Sequence, residues 1–349
     1  MLSLRHARRY AHKSLRATPT PSAKKLRLVK PVLFLAGISS TVAVYLLLPD
    51  KSRATPTYAS KTLSPSYFTP ATLVKSTETS ADTKLLTLSV PPELLPHDHP
   101  DKLTPIWSVF IKDDDIQVER PYTPLEGVGG DGKMTFWIKK YEYGEVGRWL
   151  HSKQPGESIE IRGPVTTWLR SWMVGDWDEI IMISGGTGIT PFYQLLHGIF
   201  ANNDTPFRGR LTLLHSSRSK ADGPPPMMMN FLTTTAQKHP DKFKLQLFVD
   251  SLIGGVVGEC SATLKLGRIG KADIQNALEL PSDPPWWRRL FPWSTAAVNS
   301  PERKIMIMVC GPEQMVKTIA GPYGRNYSQG QVGGILEELG FNSRQVWKL

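Results

Sequence analysis

The stretch IIMISGGTGITPFYQ, residues 180–194, decides how the rest of the chain is read. An apolar run, Ile180 to Ile183, passes through Ser184 into Gly185, Gly186, Thr187 and Gly188, and then into an apolar segment of helical character. Strand, glycine turn and helix in that order make a βα unit. Glycines there let the backbone take positive φ and approach a ligand closely, while free N–H groups at the helix start favour an anionic group such as a pyrophosphate. An ordinary βα turn has the same appearance, because a short glycine motif is a weak signal by itself. Its neighbours in the chain decide between the two.

Toward the C-terminus, apolar runs at 211–214, 243–249 and 305–309 alternate with helix-length segments such as 191–200 and 227–238. That alternation predicts an α/β domain with a parallel sheet over 175–349. Toward the N-terminus, short β-type runs lie at 71–76, 85–90, 106–111, 134–140 and 158–161, with one helix-like segment at 147–152. Leu86, Leu88 and Val90 alternate with Leu85, Thr87 and Ser89, and Phe136 and Ile138 with Trp137 and Lys139. This predicts an antiparallel barrel or sandwich over 69–170, with the domain boundary near 165–178. Residues 50–68, rich in Ser, Thr and Pro, read as a linker. At 280–299, Trp286, Trp287, Leu290, Phe291 and Trp293 interleave with Arg288 and Arg289. That insertion reads equally as a membrane-interface or partner loop and as a segment folded onto its own domain.

The chain has 349 residues and a formal net charge of +11, from 42 Lys and Arg against 31 Asp and Glu. Nine of the basic residues fall in the first 30 positions, and no acid precedes Asp50. What remains is nearly balanced, which excludes a nucleic-acid-binding footprint. A basic, acid-free arm at 1–30 reads as a mitochondrial transit segment. It is followed by 17 uncharged residues, 32–48, between Pro31 and Pro49. Their length sits at the short end of the spanning range, so 31–49 is predicted to be a single transmembrane helix. The basic flank then leaves the arm on the matrix side of the inner membrane and the rest in the intermembrane space. Two cysteines, Cys260 and Cys310, supply neither a disulfide framework nor a metal-ligand cluster.

Three motifs follow one another: Arg120-Pro121-Tyr122-Thr123-Pro124, the turn from Gly185 to Pro191, and Cys310-Gly311-Pro312 with Met315 beyond it. Arg120 offers a permanently charged planar fork for a pyrophosphate, Tyr122 a flat ring, and Thr123 a hydroxyl for a ring nitrogen. In this order the motifs resemble the NADH-cytochrome b5 reductase family of the ferredoxin-reductase superfamily, over about 69–349. The resemblance implies an FAD-binding antiparallel β-barrel followed by a parallel-sheet α/β domain that binds NADH or NADPH. It assigns FAD to Arg120, Pro121, Tyr122, Thr123, Lys139, Val146, Gly147, Arg148 and Thr190, with Tyr122 and Thr123 closest to the chemistry. It assigns the nicotinamide nucleotide to Gly185, Gly186, Thr187, Gly188, Pro191, Ser216, Arg218, Cys310, Gly311, Pro312 and Met315.

The chain departs from the family's pattern at three places. Gly147 stands where relatives carry a hydroxyl residue, so a pyrophosphate there would rest on backbone N–H groups, with Arg148 beside them. After the second strand of the α/β domain comes Ser216-Ser217-Arg218-Ser219-Lys220, whose hydroxyls and cations suit a 2′-phosphate, whereas the family takes NADH. The chain ends Val346-Trp347-Lys348-Leu349, without the terminal ring of its relatives. The resemblance extends to fungal mitochondrial flavoproteins of cytochrome c maturation, and so implies reduction of haem iron for cytochrome c and its haem lyase. A conventional cytochrome b5 reductase, or an assembly factor whose FAD is structural, fits the same motifs.

Overall fold

The computed structural model describes residues 55–95, 105–114, 117–168, 177–201, 207–251, 263–280, 303–325 and 328–349. The basic arm, the apolar stretch 31–49 and all of the Trp-rich insertion but Leu280 lie outside the described residues. Among those described, no helix is long and apolar enough to cross a membrane.

The first sheet is antiparallel and six-stranded, in the order β4-β3-β6-β1-β2-β5. Its strands are β1 (Thr69–Ser80), β2 (Thr83–Ser89), β3 (Ile106–Lys112), β4 (Glu119–Tyr122), β5 (Lys133–Lys139) and β6 (Ser158–Trp168). One helix, α1 (Glu145–Ser152), joins β5 to β6. Alternation sorts the side chains as expected: Leu86, Leu88, Phe136 and Ile138 enter the interior, where Val146 and Leu150 of α1 join them. Trp137, pointing the other way, belongs to a different core shared with the second domain.

The second sheet is parallel throughout, in the order β10-β9-β8-β7-β11-β12. It comprises β7 (Glu179–Gly185), β8 (Arg210–Ser219), β9 (Phe243–Ser251), β10 (Thr263–Leu266), β11 (Ile305–Cys310) and β12 (Val346–Lys348). Helices α2 (Thr190–Phe200), α3 (Pro226–Lys238), α4 (Lys271–Ala277), α5 (Glu313–Ala320) and α6 (Gly334–Glu338) make the connections. Every residue of β7 is buried, as its unbroken apolar run requires of a strand covered on both faces. Ile180 and Met182 face one core, Ile181 and Ile183 the other. Strand order reverses at β7, whose neighbours are β8 on one side and β11 on the other. Such a switch point leaves a crevice beyond the carboxyl ends of the two strands, and ligands of open α/β sheets bind there.

One core runs from sheet to sheet. Ile106, Leu125, Trp137 and Trp168 of the first domain pack with Ile189, Phe192, Tyr193 and Leu196 of the second. Full burial of each such side chain contributes about 1.5–3 kcal/mol. Gln194, buried in this seam, accepts from the Trp107 N–H at 2.8 Å and donates to the Pro124 carbonyl at 2.9 Å. Its two amide functions therefore fix α2 against the Arg120–Pro124 segment.

Residues 55–68 depart from the linker reading. Phe68 and Leu63 are buried, Thr57 bridges Phe68, and Arg162 donates to the Pro65 carbonyl at 2.8 Å. Lys61 lies 3.7 Å from the centre of the Tyr58 ring, a cation–π contact. Few aliphatics suffice here because two well-placed apolar side chains and backbone hydrogen bonds dock the segment onto the first domain.

Candidate functional site

A cavity of about 500 Å³ lies between the free edge of β4, the start of α1 and the carboxyl ends of β7 and β11. Arg120, Pro121, Tyr122 and Thr123 form one wall. Pro121, which has no N–H to give, is tolerated because β4 is an edge strand paired only with β3. Burial raises the Tyr122 phenol well above its ordinary range against the opposing charge of Arg120, so its ring is neutral at any physiological pH. Val146 and Gly147 bring the start of α1 to the same cavity. A Cβ on Gly147 would sit 2.8 Å from the Lys139 carbonyl oxygen, so a hydroxyl residue has no room where this helix abuts β5.

Of the remaining expected FAD residues, one lies outside the cavity and one lines it in an ion-paired state. Arg148 is exposed and lies outside the cavity lining, because it falls on the outer face of α1. Lys139 lines the cavity with only 9% of its side chain exposed and is held by Asp82 at 2.9 Å and Asp222 at 3.9 Å.

The glycine turn divides by function. Gly186 has φ +54° and nothing within 4 Å of where a Cβ would stand, so its backbone faces open space. A Cβ on Gly188 would collide with the Cys310 carbonyl, and one on Gly185 would meet the Met315 sulfur at 2.5 Å. These two glycines let the turn nest against Cys310-Gly311-Pro312. Thr187, Thr190, Pro191 and that tripeptide all line the cavity, and so does Leu349. Leu349 is anchored by its N–H to the Val309 carbonyl at 2.9 Å and by the Tyr323 hydroxyl at 2.6 Å. Burial pushes the Cys310 thiol up to about 12, which keeps it protonated and non-nucleophilic at neutral pH.

A second cavity of about 480 Å³ shares Lys139, Tyr141, Gly185 and Pro312 with the first. Gly186, Ser216, Arg218 and Met315 line it, as expected, together with Asp222, Asp250 and Arg268, which sequence reading missed. Beneath it, His215 is fully enclosed between Ser184, 2.8 Å from Nδ1, and Ser217, 3.1 Å from Nε2. Burial pushes this imidazole down to about 3, so it is neutral, with one ring nitrogen donating and the other accepting.

The two cavities adjoin along Lys139, Tyr141, Gly185 and Pro312, with Arg120 lining the first and the open backbone of Gly186 the second. Their parts suit a flavin dinucleotide laid along β4 and α1 and a nicotinamide dinucleotide laid over the β7 turn. Comparison with known proteins agrees. An oxidoreductase FAD-binding domain matches residues 70–169, and an oxidoreductase NAD-binding domain matches residues 182–321. The chain is 31% identical over 278 residues to NADH-cytochrome b5 reductase 2 of Scheffersomyces stipitis, covering 79% of this chain and 81% of that protein. It is 32% identical over 290 residues to an uncharacterized FAD-binding protein of Schizosaccharomyces pombe, covering 82% and 86%. Among solved structures, the cytochrome b5 reductase domain of Ulva prolifera nitrate reductase shares the fold, with TM-score 0.56 and 20% identity over 83% of this chain and 100% of that one. With FAD and NADH or NADPH as its cofactors, the chain is an oxidoreductase and belongs to the NADH-cytochrome b5 reductase family.

Proposed function

We propose that this chain passes electrons from NADH to a haem acceptor, and that the acceptor is haem iron during cytochrome c maturation on the intermembrane-space face of the mitochondrial inner membrane. The observation that carries the redox reading is the shared wall of the two cavities, Lys139, Tyr141, Gly185 and Pro312, which brings two ligands edge to edge. Bound here, FAD supplies two-electron chemistry toward the nicotinamide and one-electron chemistry toward haem iron. The protein's part is orientation. Arg120 neutralises a pyrophosphate, the Thr123 hydroxyl and the Tyr122 ring seat the flavin ring, and Gly186 offers its backbone to the nicotinamide nucleotide. Gln194 keeps Pro124, and with it the Arg120–Pro124 segment, in register with α2. Leu349 lines the cavity where relatives place a ring, and an aliphatic side chain there keeps water away without stacking.

The cellular assignment rests on the basic, acid-free arm and the apolar stretch behind it. Conventional cytochrome b5 reduction is the second reading, favoured by the names of the related proteins. Purified protein carrying FAD, reduced anaerobically with NADH and then offered free haem or cytochrome b5, separates the two by which acceptor reoxidises it faster. Protease digestion of the soluble part before rupture of the outer membrane would refute the intermembrane-space location. A role confined to assembly predicts instead that a variant defective in flavin reduction retains its cellular function.

A further inference from the structure

We propose that Asp82, on the hairpin between β1 and β2 and outside the nucleotide domain altogether, sets which dinucleotide the chain accepts. The inference rests on the NAD(P)H-oxidoreductase reading and deepens it. A 2′-phosphate needs a cation free to meet it, and Arg218, with 67% of its side chain exposed at the end of β8, looks available in the sequence. In the structure it is engaged. A single oxygen, Asp82 Oδ2, takes the Arg218 guanidinium at 2.8 Å and the Lys139 ammonium at 2.9 Å. Asp222 Oδ1 reaches the same two cations less closely, at 3.2 and 3.9 Å. Arg268, the other guanidinium lining this cavity, is paired with Asp250 at 3.1 Å.

Each cation lining the second cavity thus has a carboxylate, and the group nearest to two of them comes from the flavin side. Asp82 is itself positioned by the Ser80 hydroxyl at 3.0 Å. Its burial, which opposes ionisation, is outweighed by the hydrogen bonds from Lys139 and Ser80 and by the charges of Lys139 and Arg218, which hold its carboxyl below the ordinary range. It is therefore ionised at neutral pH. A 2′-phosphate, carrying nearly two negative charges, meets cations already matched by carboxylates, Asp82 among them, whereas the 2′-hydroxyl of NADH meets only hydrogen-bonding partners. Asp82 acts through Arg218 and Lys139 and is a positioning residue for them. Because it reaches across from the other domain, discrimination is complete only while hairpin and nucleotide domain are in contact.

Steady-state flavin reduction by NADH and by NADPH, compared for wild type, Asp82→Asn and Asp82→Glu holoenzyme, tests this. Asp82→Asn is expected to raise kcat/KM for NADPH relative to NADH by about tenfold, with the gain shrinking as salt is added. Asp82→Glu restores the wild-type ratio. A ratio unchanged in Asp82→Asn, or a parallel fall with both nucleotides, overturns the assignment. Wild-type flavin that neither nucleotide reduces would overturn the oxidoreductase reading as well, and is distinguishable from failure of the Asp82 assignment alone.

Discussion

The two edges of the parallel sheet are made by the same strands and solve opposite problems. At the amino ends, side chains fill the space and pair. Glu179, only 2% exposed, takes Arg303 at 2.6 Å and Arg210 at 3.4 Å, while Glu279 gathers Lys244 at 2.9 Å and Arg210 at 3.2 Å. At the carboxyl ends of β7 and β11, side chains are withdrawn, and backbone meets backbone through Gly185, Gly188 and Gly311. A closed, charge-stapled edge lets the opposite edge remain open for ligands. The cost of that openness falls on glycines, which have no substitute.

The contrast breaks hardest at Gly188. Alanine there drives a methyl into the Cys310 main chain, which has no flexible end to yield, at a cost of about 1–3 kcal/mol. Displacement of Cys310-Gly311-Pro312 by about 1 Å is expected to lower NADH-dependent flavin reduction about a hundredfold, measured by stopped-flow absorbance. The companion change Gly186→Ala places its methyl in open space. It costs only about 1–2 kcal/mol for the left-handed backbone, while the apparent affinity for the nucleotide falls.

A pH titration sharpens the comparison at His215, beneath the open edge. Its folded value lies below the ordinary 6.5, so the unfolded chain binds the proton first. The stability it permits is present above pH 6.5 and is lost as the pH falls from there toward 3. Between pH 7 and pH 5 the loss is about 2 kcal/mol, read as a urea midpoint that drops more in wild type than in His215→Gln. The smallest effect is expected at the stapled edge. Arg303→Met leaves the buried Glu179 with only its longer partner and destabilises by about 1–2 kcal/mol, seen in the melting temperature. Nucleotide kinetics should not move, and a change there would show that the two edges are not independent.

Much of this arrangement was legible in the residues. The alternation of Leu86 and Leu88 with Leu85 and Thr87 gave the faces of the antiparallel sheet, and the run before Gly185 gave the first parallel strand. The glycine turn and the Cys310-Gly311-Pro312 segment meet because they follow the adjacent parallel strands β7 and β11, and Arg120 to Thr123 reach the same cavity from β4 of the other sheet. What could not be read was long-range electrostatics. Asp82 is an ordinary turn residue until packing of the two domains brings the β1–β2 hairpin to Arg218, 136 positions away. The pairing of Lys139 with Asp82 and Asp222 could not be read because both carboxylates are distant in the chain. Residues 55–68 looked like a spacer because local composition carries no record of the two side chains, Leu63 and Phe68, that dock them.

The seam around Gln194 bears on modularity. Trp107 and Pro124 lie in one domain and the amide that satisfies both lies in the other, within a core to which each contributes large side chains. Each half has a core of its own, but the third core closes only where the two meet. A chimaera that joined this antiparallel domain to a relative's nucleotide domain would inherit a mismatched interior surface, and cutting the chain near residue 177 would leave two fragments with exposed apolar faces. The two-cofactor site and the cooperative folding unit therefore share a boundary, and redesign of either has to carry the seam with it.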